Sequence, residues 1–163
     1  MERVSTAKEL MILEGLSRES LETFQYIVIR LGEEQYGIDI RFIDNIIRMQ
    51  HITRVPKVAP YLKGVINLRG EVIPVMSLRV RMGLAGDEIT KATRILILKL
   101  EQEGNVGVIV DEVKEVVTLA EDEIEKVSYD STAGKATFIN GIGKYKGELI
   151  SLLELNTITL EDN

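Results

Sequence analysis

One segment of this chain is written twice. From Tyr61 the sequence reads YLKGVINLRGEVIPVMSL, and from Phe138 it reads FINGIGKYKGELISLLEL; the two align without a gap over 18 positions at an offset of 77. Gly64 matches Gly141, Gly70 matches Gly147, Glu71 matches Glu148, Ile73 matches Ile150 and Leu78 matches Leu155, while Arg69 meets Lys146. A second match lies upstream of each copy, where Tyr36–Ile40 (YGIDI) aligns with Val106–Val110 (VGVIV) at an offset of 70. Ile43, Ile46 and Ile47 then correspond to Val113, Val116 and Val117. A unit repeated at this scale points to two similar subdomains built around a common core. Chance likeness between generic hairpins is the competing explanation, and the matching glycines argue against it.

Within each copy the pattern is that of a β-hairpin. Val65–Leu68 and Val72–Met76 are short apolar runs held apart by Arg69, Gly70 and Glu71, and Gly70 supplies the positive φ that a tight turn, or a turn plus bulge, demands. Pro74 lacks an N–H, which predicts that the second strand is an edge or carries a bulge. Phe24–Leu31 reads as a strand buried on both faces, Gly32–Gln35 as a turn, and Tyr36, Ile38 and Ile40 as the inward positions of a half-buried strand. Phe42, Ile43, Ile46 and Ile47 fall at helical spacing and predict a short amphipathic helix.

Ile52–Val55 reads as a short strand, and Pro56 and Pro60 bracket a rigid loop. Ser77 before Leu78–Gly83 reads as an N-cap followed by one helical turn and a terminating glycine. Ala85–Thr93 is a polar seam between the two units. Arg94–Leu100 and Val106–Val110 are further strands, Glu112–Leu119 is a strand or a short helix, Ala120–Lys126 an acidic surface helix and Tyr129–Thr137 a loop. Roughly ten strands and few helices make the class mainly β.

Composition removes whole classes of chemistry. There is no cysteine, so disulfides, thiolate catalysis and cysteine-bound zinc are excluded, and the single histidine excludes a multi-histidine metal cage. That histidine, His51, reads as an exposed loop residue. With 20 basic and 26 acidic residues, a net charge of −6 and no dense basic block, phosphate-backbone binding is disfavoured. A single-strand-binding barrel would also want aromatics on a basic surface, and there are five tyrosines, three phenylalanines and no tryptophan. An enzyme would need paired carboxylates, for instance Asp111 with Glu112 or Glu115, converging on a pocket. Neighbouring residues on a strand face opposite ways, however, and a strand-end turn is the ordinary role for Asp111. No apolar run approaches a membrane span and no secretion signal opens the chain, so a cytoplasmic protein is expected. Residues 1–22 are expected to form a loosely ordered tail, with Thr6–Glu9 as a capping box for a helical turn.

The stretches FQYIVIRLGEEQYGIDI, GVINLRGEVIPVMSLRVRMGL and VGVIVDEVKEVV, in that order, resemble the CheW-type chemotaxis coupling proteins over residues 23–157. The resemblance implies two intertwined five-stranded β-barrel subdomains sharing one hydrophobic core, with residues 158–163 as a C-terminal tail. It implies no catalysis, no cofactor and no metal. The implied partners are the cytoplasmic tip of a methyl-accepting chemotaxis receptor and the regulatory domain of the histidine kinase CheA, with no nucleic acid and no direct membrane insertion. It also implies a receptor-contacting groove between the barrels. The helix after Tyr36–Ile40 would contribute Ile43 and Asn45, the hairpin Gly64, Asn67, Arg69 and Gly70, and the second unit Ile95 and Val116. Two departures stand out: relatives usually carry an acidic residue at the position of Asn45 and Asp at that of Ser77. For Arg69 the residue type itself adds weight, since a guanidinium offers a planar fork of donors and is enriched at interface hot spots.

Overall fold

The computed structural model describes residues 22–101, 103–127 and 138–155. The Thr6–Glu9 capping box, the Tyr129–Thr137 loop and the C-terminal tail fall outside these. The strands are β1 (Thr23–Leu31), β2 (Glu34–Asp39), β3 (Ile43–Arg48), β4 (Leu62–Leu68), β5 (Glu71–Ser77), β6 (Arg94–Leu100), β7 (Gly104–Val110), β8 (Glu112–Ala120), β9 (Ile124–Lys126), β10 (Ile139–Tyr145) and β11 (Glu148–Leu153). One helical turn, α1 (Leu78–Arg81), follows β5. A first sheet has the order β8-β1-β2-β11-β10-β9 and a second the order β3-β6-β7-β5-β4.

Placing the repeat on this topology explains it. The first copy gives β1 and β2 to the first sheet and β3, β4 and β5 to the second. The other copy does the reverse, giving β6 and β7 to the second sheet and β8 to β11 to the first. Equivalent strands occupy equivalent places, so the sheets are related by a pseudo-two-fold exchange of strands. In both sheets one parallel pairing closes the swap: β11 with β2 (Ser151 opposite Tyr36) and β5 with β7 (Val75 opposite Gly107). Among the described residues the first two and the last four strands therefore build one sheet, and the strands between them the other.

Period-two alternation divides the apolar residues between three interiors. Ile27, Ile29 and Leu31 of β1 meet Leu96 and Leu98 of β6, with Met76, Leu78 and Val108, in a core shared by both sheets. The alternate residues turn the other way. Val28 joins Val117, Leu119, Ile150 and Leu152 inside the first sheet, and Ile95 and Ile97 join Ile66, Ile73, Val75 and Ile109 inside the second. Each sheet curls far enough for its distant strands to share that interior: a Cβ at Gly143 of β10 would lie 2.5 Å from Leu119 Cδ1 of β8. So the expected common core is present, and each half has in addition an interior of its own.

Four expectations need correction. Residues 43–48 are a strand, not a helix; a 3-10 turn at Ile40–Phe42 precedes it, and β3 pairs antiparallel with β6 along Ile43–Arg48. Three isoleucines within six residues suit an extended backbone better than a helix, and the β6 edge supplies the missing hydrogen bonds. The first sheet has six strands rather than five, because Ile124–Lys126 pairs with β10 as β9 and only Glu121–Glu123 is helical, as a 3-10 turn. Ile52–Val55 forms no strand beyond the single bridge between Thr53 and Val65.

Lastly, β5 is an interior strand although it holds Pro74. Val65, opposite Pro74, exchanges both its backbone bonds with Thr53 at 2.8 Å, so the Val65–Pro74 pair needs no bond between its members. The proline nitrogen then faces β7, whose ladder with β5 begins only at Val75. The register irregularity of this hairpin lies on β4, between Leu62 and Gly64. The N-cap reading holds: Val80 N–H donates to Ser77 Oγ at 3.1 Å, and Gly83 has φ 80°. Glu112–Ala120 is a strand.

Candidate partner-binding surface

The β4–β5 hairpin ends in a two-residue turn with Arg69 at φ 53° and Gly70 at φ 83°, the geometry that matches strand twist in tight hairpins. The Asn67 side chain accepts from Gly70 N–H at 3.1 Å and so closes the turn. Glu71 accepts from Asn105 Nδ2 at 3.1 Å, tying the tip to the start of β7. The β10–β11 tip repeats the device: Lys146 has φ 49°, Gly147 φ 79°, and Glu148 accepts from Gln35 Nε2 at 3.1 Å. Even the exposed apolar residue beside each turn is repeated, Val72 at 64% and Leu149 at 63%.

The two tips differ in what their cations do. Lys146 Nζ lies 5.2 Å from the centroid of the Tyr145 ring. At Arg69 the preceding residue is Leu68, and the exposed guanidinium has no hydrogen-bond, ion-pair or ring partner among the described residues. A non-glycine residue in the left-handed region costs of the order of 1 kcal/mol, so an arginine there presents its charge at a cost glycine would avoid.

Asn67, Arg69 and Gly70 are thus brought together at one tip. Gly64 is buried farther down the same hairpin, at φ 145°, where the Thr53 carbonyl passes so close that a Cβ would lie 2.1 Å from its oxygen. Ile43 is half-buried against the shared core, and the Asn45 side chain accepts from the N–H of Ile46 at 2.9 Å. Ile95 is fully buried inside the second sheet and presents nothing to a partner directly. Val116 is 50% exposed on β8, and its repeat equivalent Ile46 is 39% exposed on β3.

Two clusters escaped the sequence reading. Asp111, at the end of β7, accepts from Arg79 Nε and Nη2 at 2.7 Å each and from Gly32 N–H at 2.8 Å, with Arg30 Nη1 3.8 Å away. One carboxylate therefore joins the β1–β2 turn of the first sheet to α1 and β7 of the second. The Arg79 guanidinium, opposed by burial and aided by Gly32 N–H, holds the Asp111 carboxyl below its ordinary range. Both its oxygens are engaged, and Glu112 lies 3.5 Å from Arg30 Nε, so Asp111 serves as a bridge between the sheets.

The other cluster is Arg81, whose guanidinium lies 4.6 Å from the Tyr61 ring centroid and 5.0 Å from that of Phe138. Those two aromatics are the first residues of the two repeat copies, and Tyr61 and Phe138 carbonyls accept in parallel from Ser77 and Glu154 N–H, at 2.7 Å each. Arg81 thus clasps the two halves where the pseudo-symmetry brings them together. A 32-residue separation in the first case, and a lone arginine in the second, leave no local pattern to read. The alignment did mark Tyr61 and Phe138 as equivalent. His51 is an exposed loop residue, as expected.

Among the described residues no group of three or more acidic or histidine side chains could hold a metal ion, and no helix is long and apolar enough to cross a membrane.

Comparison with known proteins agrees with the doubled sheet. The chain is 39% identical to the chemotaxis protein CheW of Bacillus subtilis (strain 168), over 81% of this chain and 84% of that one. It is 32% identical to the chemotaxis protein CheW of Helicobacter pylori, over 86% and 84%. The crystal structure of the scaffolding protein TtCheW from Thermoanaerobacter tengcongensis superposes with a TM-score of 0.75 at 33% identity, covering 82% of this chain and 90% of that one. The CheW-like domain model matches residues 25–162, and the chain belongs to the CheW-like domain family.

Proposed function

We propose that this chain is a non-catalytic scaffold of bacterial chemotaxis, joining the cytoplasmic hairpins of chemoreceptors to the regulatory domain of the histidine kinase CheA. It works in the cytoplasm, at receptor arrays it reaches through its partners. Its mechanism is geometric: a rigid two-sheet body offers one face to each partner, and receptor movements reach the kinase through packed contacts. The receptor face is the β4–β5 tip with Asn67, Arg69 and Gly70, to which the family resemblance adds Ile43 and Asn45 of β3 and Val116 of β8, while Gly64 and Ile95 act by holding the hairpin and sheet in shape.

The observation that supports this tip over its twin is the unpartnered Arg69 guanidinium, set against Lys146 lying over Tyr145. Arg69→Glu tests it, since the exposed side chain makes no hydrogen bond, ion pair or ring contact among the described residues. Receptor-hairpin affinity should fall at least about tenfold, the scale of one lost charged hot-spot contact, with an unchanged melting temperature. Unchanged affinity removes the tip from the receptor face.

A further inference from the structure

The longest stretch of this acidic chain without an Asp or Glu runs from Asn45 to Gly70, twenty-six residues that hold Arg48, Arg54, Lys57, Lys63, Arg69 and the single histidine. Folding gathers part of it around a cleft of ≈ 780 Å³ in the connection between β3 and β4. Val55, Val58 and Leu62 provide apolar wall, and Arg54, Lys57 and Lys63 surround it with cations. Val55 and Val58 are among the few large apolar side chains left exposed, at 38% and 37%.

None of the three cations has a salt bridge among the described residues. Lys63 lies close enough to Asp87 for the two charges to interact. A concave apolar surface ringed by cations that form no salt bridge attracts a ligand with both characters: apolar side chains to fill the cleft and carboxylates to meet the cations.

The cleft is also held in shape before anything binds. Pro56 and Pro60 fix two φ angles, Leu62 N–H donates to Ala59 O at 3.0 Å, and Thr53 is bonded to β4. Ala59, Tyr61 and Leu62 pack on the shared core behind it. Lys57 is kept at φ 58°, a left-handed conformation that directs chain and charge around the loop. A preformed surface gives up little ordering entropy on binding.

We infer that the 52–63 cleft is a docking site for an acidic, apolar-containing peptide segment of a partner protein, separate from the β4–β5 tip. Its lining contains no aromatic ring on which a nucleic-acid base could stack. A concavity is likewise the wrong shape for a flat lipid surface.

The test is fluorescence anisotropy of the full chain with a labelled short peptide in which leucine and glutamate alternate. Saturable binding should weaken with added salt, fall at least about tenfold in the double variant Arg54→Glu with Lys57→Glu, and be indifferent to Arg69→Glu. Circular dichroism checks the fold of each protein. Should the double reversal unfold the chain, Lys57→Gly removes one cation while relieving its left-handed strain, and should still weaken binding by a few fold. The inference is overturned if the peptide does not bind, if these variants bind it as the parent does, or if a glutamine-for-glutamate peptide binds equally well. Tighter binding of a single-stranded oligonucleotide or of phosphatidylserine vesicles overturns it too. Because Arg69 plays no part, the receptor assignment and this one fail separately.

Discussion

Replacing Asp111 by alanine cuts the first sheet from the second at a single carboxylate. In the intact protein that group receives two 2.7 Å bonds from Arg79 and one of 2.8 Å from Gly32 N–H, with side-chain exposures of 17% for Arg79 and 12% for Asp111. The truncation leaves a mostly buried guanidinium without its counter-charge and a backbone donor without its acceptor. Breaking a buried pair from one side costs about 3–5 kcal/mol. Partial solvent access places this site near the lower end, at about 3 kcal/mol. For a domain of this length that is a fall of roughly 6–12 °C in melting temperature.

Urea unfolding at neutral pH measures the loss, provided the slope with denaturant is unchanged. A double-mutant cycle with Arg79→Ala should give a coupling of about 2 kcal/mol, and Asp111→Leu with Arg79→Met should cost less than Asp111→Ala alone. The pH dependence follows from the direction of the shift. Arg79 holds the folded carboxyl below its unfolded value, so its stabilisation is present above the unfolded pKa of about 3.9 and is lost as pH falls below it. The gap between parent and variant should therefore close on acidification. A loss under about 1 kcal/mol, or additive single variants, would show that the bridge does not hold the sheets together.

Gly107→Ala places a Cβ 2.9 Å from Ile95 Cγ2 and 3.2 Å from Val75 Cγ2, inside the closely packed parallel pairing, and should destabilise by about 1–3 kcal/mol in thermal unfolding. Gly37→Ala, its repeat equivalent, meets Leu152 Cδ2 at 2.8 Å and should behave alike. Arg69→Gly relieves the left-handed turn position and should raise stability by about 0.5–1 kcal/mol while lowering receptor affinity, opposite signs that a purely structural arginine would not give. Asp87 is held above its ordinary pKa chiefly by burial, against Ser77 and Lys63, and one carboxylate oxygen is buried without a partner. The folded state then binds its proton more tightly than the unfolded chain, so wild-type stability falls as pH rises through that window. Asp87→Asn should be the more stable protein at neutral pH and lose that advantage in acid, as equilibrium unfolding at the two pH values will show.

What could be read from residues alone was whatever is local or repeated. The hairpins, the Ser77 cap and the doubled unit are set by turn chemistry and period-two patterns within a few positions of one another. The exchange of strands between copies is a long-range choice. Similar hairpins could complete either sheet, and the joins that settle the matter are parallel pairings between strands far apart in sequence, β2 with β11 and β5 with β7. Residues 43–48 misled because Ile43, Ile46 and Ile47 satisfy a helical spacing, while the β6 edge that makes them a strand lies about 50 residues away. β9 is three residues long, too short for any period. The turn at Arg69 was legible as a turn, but not the contrast with Lys146, which depends on where Tyr145 places its ring. Ile95, implied as a contact by the resemblance, is interior, because alternation along β6 turns it into the second sheet.

On the function we propose, two faces of one body hold two partners at the same time. Sedimentation velocity of the chain with a receptor cytoplasmic hairpin and the CheA regulatory domain, singly and together, measures this directly. A three-component species heavier than either pair, lost on the receptor side alone with Arg69→Glu, is the predicted result. Mutual displacement of receptor and kinase from one shared site would contradict it.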